Sequence, residues 1–138
     1  MSDVFKAIAQ IEESCFSDAW SEKSLEDTFE YDYNHLLVEK RDGKVVGYII
    51  YSDVQGEAEL LRIAVDKRFR RQGIAASLMK DMLEELTESG AEKVMLEVRA
   101  HNIAAVKLYK SFGFVDIFVR NNYYQNPEDD ALIFQKTF

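Results

Sequence analysis

The sequence predicts a mixed α/β domain. Three observations carry this. Segments with apolar residues at helical spacing are interleaved with segments that alternate in period two. A strand, a basic loop, a helix and a second strand follow one another from Glu57 to Arg99, the form of a right-handed crossover with its two strands parallel. No repeat, low-complexity tract or Pro/Gly/Ser-rich linker divides the 138 residues. At roughly 100–200 residues per domain, that length makes one domain.

Taken in order, Ser2 or Asp3 can cap a first helix from about Val4 to Phe16, with Val4, Ile8, Ile11 and Cys15 on one stripe. Ser17 to Ser21 is a break, and Ser21 caps a short second helix to about Glu30. His35 to Glu39 reads as a strand, Asp42-Gly43 as a hairpin turn, and Lys44 to Ser52 as the returning strand. Glu57 to Val65 is the next strand. From Gly73 to Ser89, Ile74, Leu78, Met82 and Leu86 recur at spacing four, and Gly90 stops the helix they mark. Lys93 to Arg99 alternates as a strand. Asn102 can cap a helix through Phe112, ended by Gly113. Phe114 to Val119 and Ala131 to Lys136 read as a final strand pair, with Arg120 to Asp130 as the loop between them.

Composition narrows the function. A chain that is 47% hydrophobic and 30% charged can build a core, which excludes disorder. The apolar run Val45 to Tyr51 is far short of the roughly 20 residues of a membrane span. The N-terminus lacks a basic segment followed by an apolar one, so no signal peptide is expected. The single cysteine, Cys15, cannot form an internal disulfide and reads as a buried helix residue, in keeping with a reducing, cytoplasmic setting. Two histidines and one cysteine do not make a structural zinc site, and no metal is expected. The net charge of −8 argues against nucleic acid and is compatible with a basic partner.

Within this acidic chain, Lys67, Arg68, Arg70 and Arg71 fall within five positions, just before a helix. Cations are electrostatically misplaced at a helix N-terminus unless they serve an anion. The unpaired N–H groups of the first turn bind phosphates. Gly73 lets a ligand approach the backbone, and Ala75 is small. The segment Arg70-Arg71-Gln72-Gly73-Ile74-Ala75 is neither a Walker loop nor a dinucleotide fingerprint.

Arg70-x-x-Gly73-x-Ala75, after a strand ending Ile63-Ala64-Val65-Asp66, resembles the acetyl-CoA motif of the GNAT family of N-acetyltransferases. The resemblance implies a mostly antiparallel twisted sheet, with a parallel strand pair splayed at the acetyl-CoA site and helices on both faces. It also implies that Ile63, Ala64 and Val65 bond the pantetheine arm. Arg70, Arg71, Gln72, Gly73, Ile74, Ala75 and Ala76 would hold the pyrophosphate. The family usually opens with an extra strand before its first helix, absent or very short here.

A second cluster runs Leu96-Glu97-Val98-Arg99-Ala100-His101-Asn102 and continues at Leu108-Tyr109. Amine acetylation needs a base for the ammonium, stabilisation of an oxyanion and a proton for the leaving thiolate. A carboxylate suits the first task and a tyrosine hydroxyl the last. Taken alone, Glu97 is an ordinary exposed strand carboxylate, Tyr109 an ordinary core tyrosine and His101 a solvated loop residue. Glu57 and Glu59 read as solvated strand residues, with Glu59 in reserve as an alternative base.

The run Leu-Glu-Val-Arg-x-x-Asn, then Leu-Tyr-x-x-x-Gly-Phe, Arg120-x-Asn122-Tyr123-Tyr124 and Glu128-Asp129-x-Ala131 resembles the RimI branch of that family. Trp20-Ser21-Glu22 resembles its substrate-side helix. The branch acetylates the N-terminal alanine of the eighteenth small-subunit ribosomal protein. The resemblance implies Glu97 as general base, Tyr109 as general acid at the CoA sulfur and Asn102 as a CoA contact. Trp20, Tyr123 and Tyr124 would meet the acceptor, a basic N-terminal peptide. Glu12, Glu13, Glu26, Asp27, Glu30 and Glu128 to Asp130 would flank the groove, with Tyr31 and Tyr33 lining it. Acetylation of a lysine side chain or small amine, and a CoA-binding module without catalysis, stay open beside this reading. The sequence does not decide the oligomeric state, and a monomer is compatible with it.

Overall fold

A computed structural model describes residues 2–138. Helix α1 (Ser2–Cys15) leads into α2 (Glu22–Thr28), strands β1 (Asn34–Arg41), β2 (Lys44–Val54) and β3 (Glu57–Val65), helix α3 (Ile74–Glu88), strand β4 (Lys93–Arg99), helix α4 (Ile103–Ser111) and strands β5 (Val115–Tyr124) and β6 (Asp129–Thr137). The strands form one sheet in the order β1-β2-β3-β4-β6-β5. Only β3 and β4 run parallel. No strand precedes α1 among the described residues.

Local chemistry explains most boundaries. Ser21 accepts from the Ser24 N–H and caps α2. Asn102 accepts from the Ala105 N–H and caps α4. Asp42 and Gly43, at φ +52° and +77°, make the tight β1–β2 turn whose twist suits a hairpin. Asp3 is not a cap, because it lies inside the first turn of α1; the side chain of Ser2 lies outside the described part.

One expectation is corrected. Residues Arg120 to Tyr124 continue β5 rather than forming a loop, and the turn is confined to Gln125–Glu128. This stretch sits at the exposed sheet edge, so no apolar alternation marks it. Asn122 adopts φ +53°, and the pairing slips between Arg120 and Tyr124.

Two cores sandwich the sheet. Leu78, Met79, Met82 and Leu86 of α3 pack with Tyr109 of α4 on Ile49, Val94, Leu96 and Phe134. On the other face Phe5, Ile8 and Ile11 of α1, with Leu25 of α2, cover Tyr48, Ile50 and Ala64. Leu25 is fully buried, worth about 1.5–3 kcal/mol.

Two irregularities shape the site. The β3–β4 pairing holds for only three registers, Glu57↔Lys93 to Glu59↔Met95; beyond them the strands part. In β3, Leu60 and Arg62 oppose Tyr51 and Ile50, which leaves Leu61 as an extra residue. That bulge reverses the side-chain alternation. Ala58 and Leu60 belong to the α3-side core, whereas Arg62 faces α1.

Candidate active site

The parting of β3 and β4 opens a cavity of about 800 Å³. At one end stands the first turn of α3. Gly73, in the left-handed region at φ +75°, offers no side-chain cap, and the N–H groups of Ile74, Ala75 and Ala76 have no backbone partner among the described residues. Arg71 is also left-handed, at φ +65°. Successive amides in such geometry converge as an anion cradle. Arg70 and Arg71 line the cavity here. Arg68 does not, because Asp66 takes its backbone N–H and its guanidinium. Those hydrogen bonds hold the Asp66 carboxyl below the usual range. Gln72 is exposed and does not line the cavity.

Along the walls run Ile63, Ala64 and Val65 of β3 and Leu96 to Arg99 of β4. The Asp66 N–H donates across to Val46 of β2 at 2.8 Å. By alternation, the N–H and C=O groups of Val65 and Ile63 turn to the edge that β4 has left. The Val65 carbonyl indeed accepts from Arg70 Nε at 3.4 Å rather than from β2. An extended ligand between the strands would meet this backbone edge, sharing the Val65 carbonyl with Arg70.

At the far end the polar groups gather. Glu97 alternates away from the core made by Leu96 and Val98, and it is exposed to the cavity. It also borders a second groove of about 530 Å³, lined by Glu59, Met95, Phe118 and Ile133 on the sheet face below. Burial pushes the Glu59 carboxyl above its usual range, and the negative charge of Glu97 adds to the shift. Tyr109 is 5% exposed and lines the cavity. Burial, with Tyr124 second, pushes that hydroxyl up to about 12. Burial also raises Tyr124, and the charge of Glu97 raises it further. Glu97, Tyr124 and Tyr109 thus share one electrostatic neighbourhood. Asn102, with its carbonyl oxygen committed to the helix cap, lines the same cavity.

Arg99, which the sequence did not single out, fastens this end. It donates to the Pro127 and Gln125 carbonyls at 2.8 and 3.1 Å and lies 4.3 Å over the Tyr124 ring. The β5–β6 turn is thereby held against the end of β4. Asp129 is buried, accepting from the His101 and Asp130 N–H groups and meeting the His101 ring at 2.7 Å. Burial, the largest single influence, would raise its carboxyl; the His101 N–H, the His101 ring and the Asp130 N–H together outweigh it and hold the group below the usual range. His101 stays solvent-exposed, as expected, and its N–H and ring anchor it to Asp129.

Several expected acceptor residues stand elsewhere. Trp20 packs on Arg62 and lends its N–H to Glu12. Tyr123 is exposed, edge-on to Tyr124 and beneath Arg120. Tyr31 and Tyr33 stack on each other, and Asp27 pairs with Lys23. Glu12 and Asp129 are buried and cannot rim a groove. Of the four tyrosines, Tyr124 alone lines the cavity. Among the described residues no cluster of three metal-ligating side chains occurs, and no helix is long and apolar enough to cross a membrane.

Comparison with known proteins agrees with this geometry. The profile of the Acetyltransferase (GNAT) family matches residues 5–114. The [ribosomal protein bS18]-alanine N-acetyltransferase of Escherichia coli K12 is 36% identical over 129 residues, spanning 92% of this chain and 86% of that one. An N-alpha-acetyltransferase of Sulfurisphaera tokodaii is 35% identical over 111 residues, 71% of this chain and 66% of that one. The crystal structure of the ribosomal-protein-S18-alanine N-acetyltransferase from Escherichia coli superposes with a TM-score of 0.90 at 33% identity, covering 96% of this chain and 86% of that one.

Proposed function

The chain belongs to the GNAT family of acetyltransferases, and we propose that its 138 residues form one RimI-type N-α-acetyltransferase domain that acts on the N-terminal alanine of a small-subunit ribosomal protein. The observation that carries this reading is the β3–β4 opening, with an amide cradle at one end and Glu97, Tyr124 and Tyr109 at the other. The enzyme uses acetyl-CoA, as its family does. The residues suit that molecule. Unpaired N–H groups and two arginines fit a pyrophosphate, and the free edge of β3 with apolar side chains around it fits a pantetheine arm. Acetyl-CoA supplies the acetyl group as an activated thioester.

The chain's own residues divide the remaining work. An α-amine has a pKa of about 8, so at neutral pH the base removes a loosely held proton. Glu97, directly or through a water, takes it. The Val65 N–H, turned into the opening, faces the developing oxyanion. A tyrosine hydroxyl is protonated at neutral pH, and burial pushes that of Tyr109 further up, so it enters the reaction as a donor to the leaving sulfur. Glu59 borders the lower groove but not the main cavity, which favours Glu97 as the base. Glu97, with Asp18 beside Arg62, supplies carboxylates at the acceptor end that a basic peptide can meet. We read the enzyme as cytoplasmic.

The test is incubation with acetyl-CoA and a basic peptide beginning with alanine, followed by fragmentation in a mass spectrometer. Acetyl on the α-nitrogen is expected. Acetyl on lysine alone would keep the family chemistry and defeat the N-terminal assignment; binding without transfer would defeat catalysis.

A further inference from the structure

Glu12 is a fully buried carboxylate that the chemistry above does not use. Its environment is fully built. Oε1 accepts from the Trp20 N–H at 2.9 Å and from Arg62 Nε and Nη2 at 3.2 and 2.8 Å; Oε2 accepts from the Tyr48 hydroxyl. Arg62 also donates to the Asp18 carbonyl at 3.0 Å and to its carboxylate at 3.3 Å. The guanidinium lies 4.2 Å from the Phe16 ring centre and 5.1 Å from that of Trp20.

These contacts converge on the α1–α2 connection. Between residues 17 and 20 its backbone has no backbone partner among the described residues. Its anchors are side chains: Glu12 takes the Trp20 N–H, and Arg62 takes the Asp18 carbonyl. The same connection presents Phe16, Ser17 and Asp18 to the cavity, opposite the Arg99-fastened β5–β6 turn. Arg62 can reach it only because the bulge at Leu61 turns position 62 toward α1. Neither Glu12 nor Arg62 hydrogen-bonds the α3 cradle at the other end of the cavity; α1 meets that end through Cys15 Sγ, 3.4 Å from Arg70 Nη2.

We propose that Glu12 and Arg62 are positioning residues that clamp the α1–α2 connection as one wall of the acceptor side, setting acceptor binding without affecting acetyl-CoA binding. This rests on the acetyltransferase reading. An unclamped wall must be ordered when the acceptor binds, and that cost appears in acceptor affinity.

Arg62→Met alone would strand a buried carboxylate and risk unfolding. The informative variant is therefore Glu12→Gln with Arg62→Met, which removes both charges. Trp20 is the only tryptophan and reports on the connection directly. In a variant with wild-type circular dichroism, acrylamide quenching of Trp20 should rise at least twofold. The KM for an alanine-first basic peptide should rise at least tenfold, about 1.4 kcal/mol, with the acetyl-CoA Kd within twofold. Arg62→Lys, which keeps the charge but loses the two-pronged grip, should fall between; it also serves as the test if the double variant does not fold. Unchanged quenching, an unchanged peptide KM, or an acetyl-CoA Kd that rises in step would overturn the proposal. If the wild type acetylates no N-terminal amine, the functional reading fails instead, and the quenching comparison still decides whether the clamp exists.

Discussion

Replacing Gly47 by alanine tests how tightly the amide cradle is seated. A Cβ at Gly47 would lie 2.9 Å from Ile74 Cγ2, 3.3 Å from the Ala64 carbonyl oxygen and 3.5 Å from Leu78 Cδ1. None of these yields easily. Ile74 is β-branched, 3% exposed and the first residue of α3; the Ala64 oxygen belongs to the backbone of β3. The start of α3 must move outward by roughly half an ångström to restore ordinary contact. Overpacking of this kind costs about 1–3 kcal/mol. At this chain length each kcal/mol lowers Tm by roughly 3–5 °C, so a fall of about 3–15 °C is expected. The same movement displaces the N–H groups proposed to hold the pyrophosphate. A hydrogen bond to a charged group is worth about 1.5–3 kcal/mol, so losing one should raise the acetyl-CoA Kd at least tenfold. The control is Gly43→Ala. That site has φ +77° and nothing within 4 Å, so the substitution costs about 1–2 kcal/mol through backbone strain alone, far from α3. Thermal melts and calorimetric titration of both variants separate the effects. A Gly47→Ala protein with wild-type Tm, or one that melts early yet binds acetyl-CoA normally, would refute the reasoning.

Tyr109→Phe should lower kcat about 10²-fold or more while the acetyl-CoA Kd stays within twofold; unchanged turnover would remove the residue from the acid role. Because burial raises this hydroxyl from about 10 to about 12, the unfolded chain releases its proton first. Its contribution is complete below pH 10 and is lost as pH climbs to about 12, so wild type should lose roughly 3 kcal/mol relative to Tyr109→Phe over that window in urea melts. Glu97→Gln should cost about 10² in kcat and Glu59→Gln less than tenfold; the reverse order would make Glu59 the base. Glu97→Gln should also lower the Glu59 pKa, read by carbon NMR of the carboxyl, since a like charge has gone. Tyr48→Phe takes a partner from the buried Glu12 and should cost about 1–3 kcal/mol in urea denaturation; a loss below 0.5 kcal/mol would show that the carboxylate finds another donor.

The helices and most strands were legible because their signals are local. Ile74, Leu78, Met82 and Leu86 announce a buried helix face, and Ser21 and Asn102 announce helix starts. The β5 extension was not legible: an edge strand exposed on both faces has no reason to alternate. Nor was the Leu61 bulge, since a two-residue-against-one mismatch exists only when β2 lies alongside. Arg62 did leave a faint trace, as a charge inside the apolar run Leu60-Leu61-Arg62-Ile63. Glu12 left another, one helical turn from Ile8 on the buried stripe of α1.

The residue order was enough for the secondary structure, the crossover and the basic, glycine-bearing start of α3. Each depends on near neighbours in the chain: hydrogen bonds four residues apart, caps three apart, side chains two or three and a half positions apart. The site needed contacts between distant segments. Whether β3 and β4 stay paired or part after three registers, which face Arg62 takes, and whether Glu12 is solvated or buried are settled by packing between segments 36 and 50 residues apart in sequence. A carboxylate costs nothing on a surface and much in a core, and composition cannot tell which it will be. The fold moves Glu12 off the groove rim into a structural clamp and leaves Glu97 facing the cavity beside Tyr109 and Tyr124.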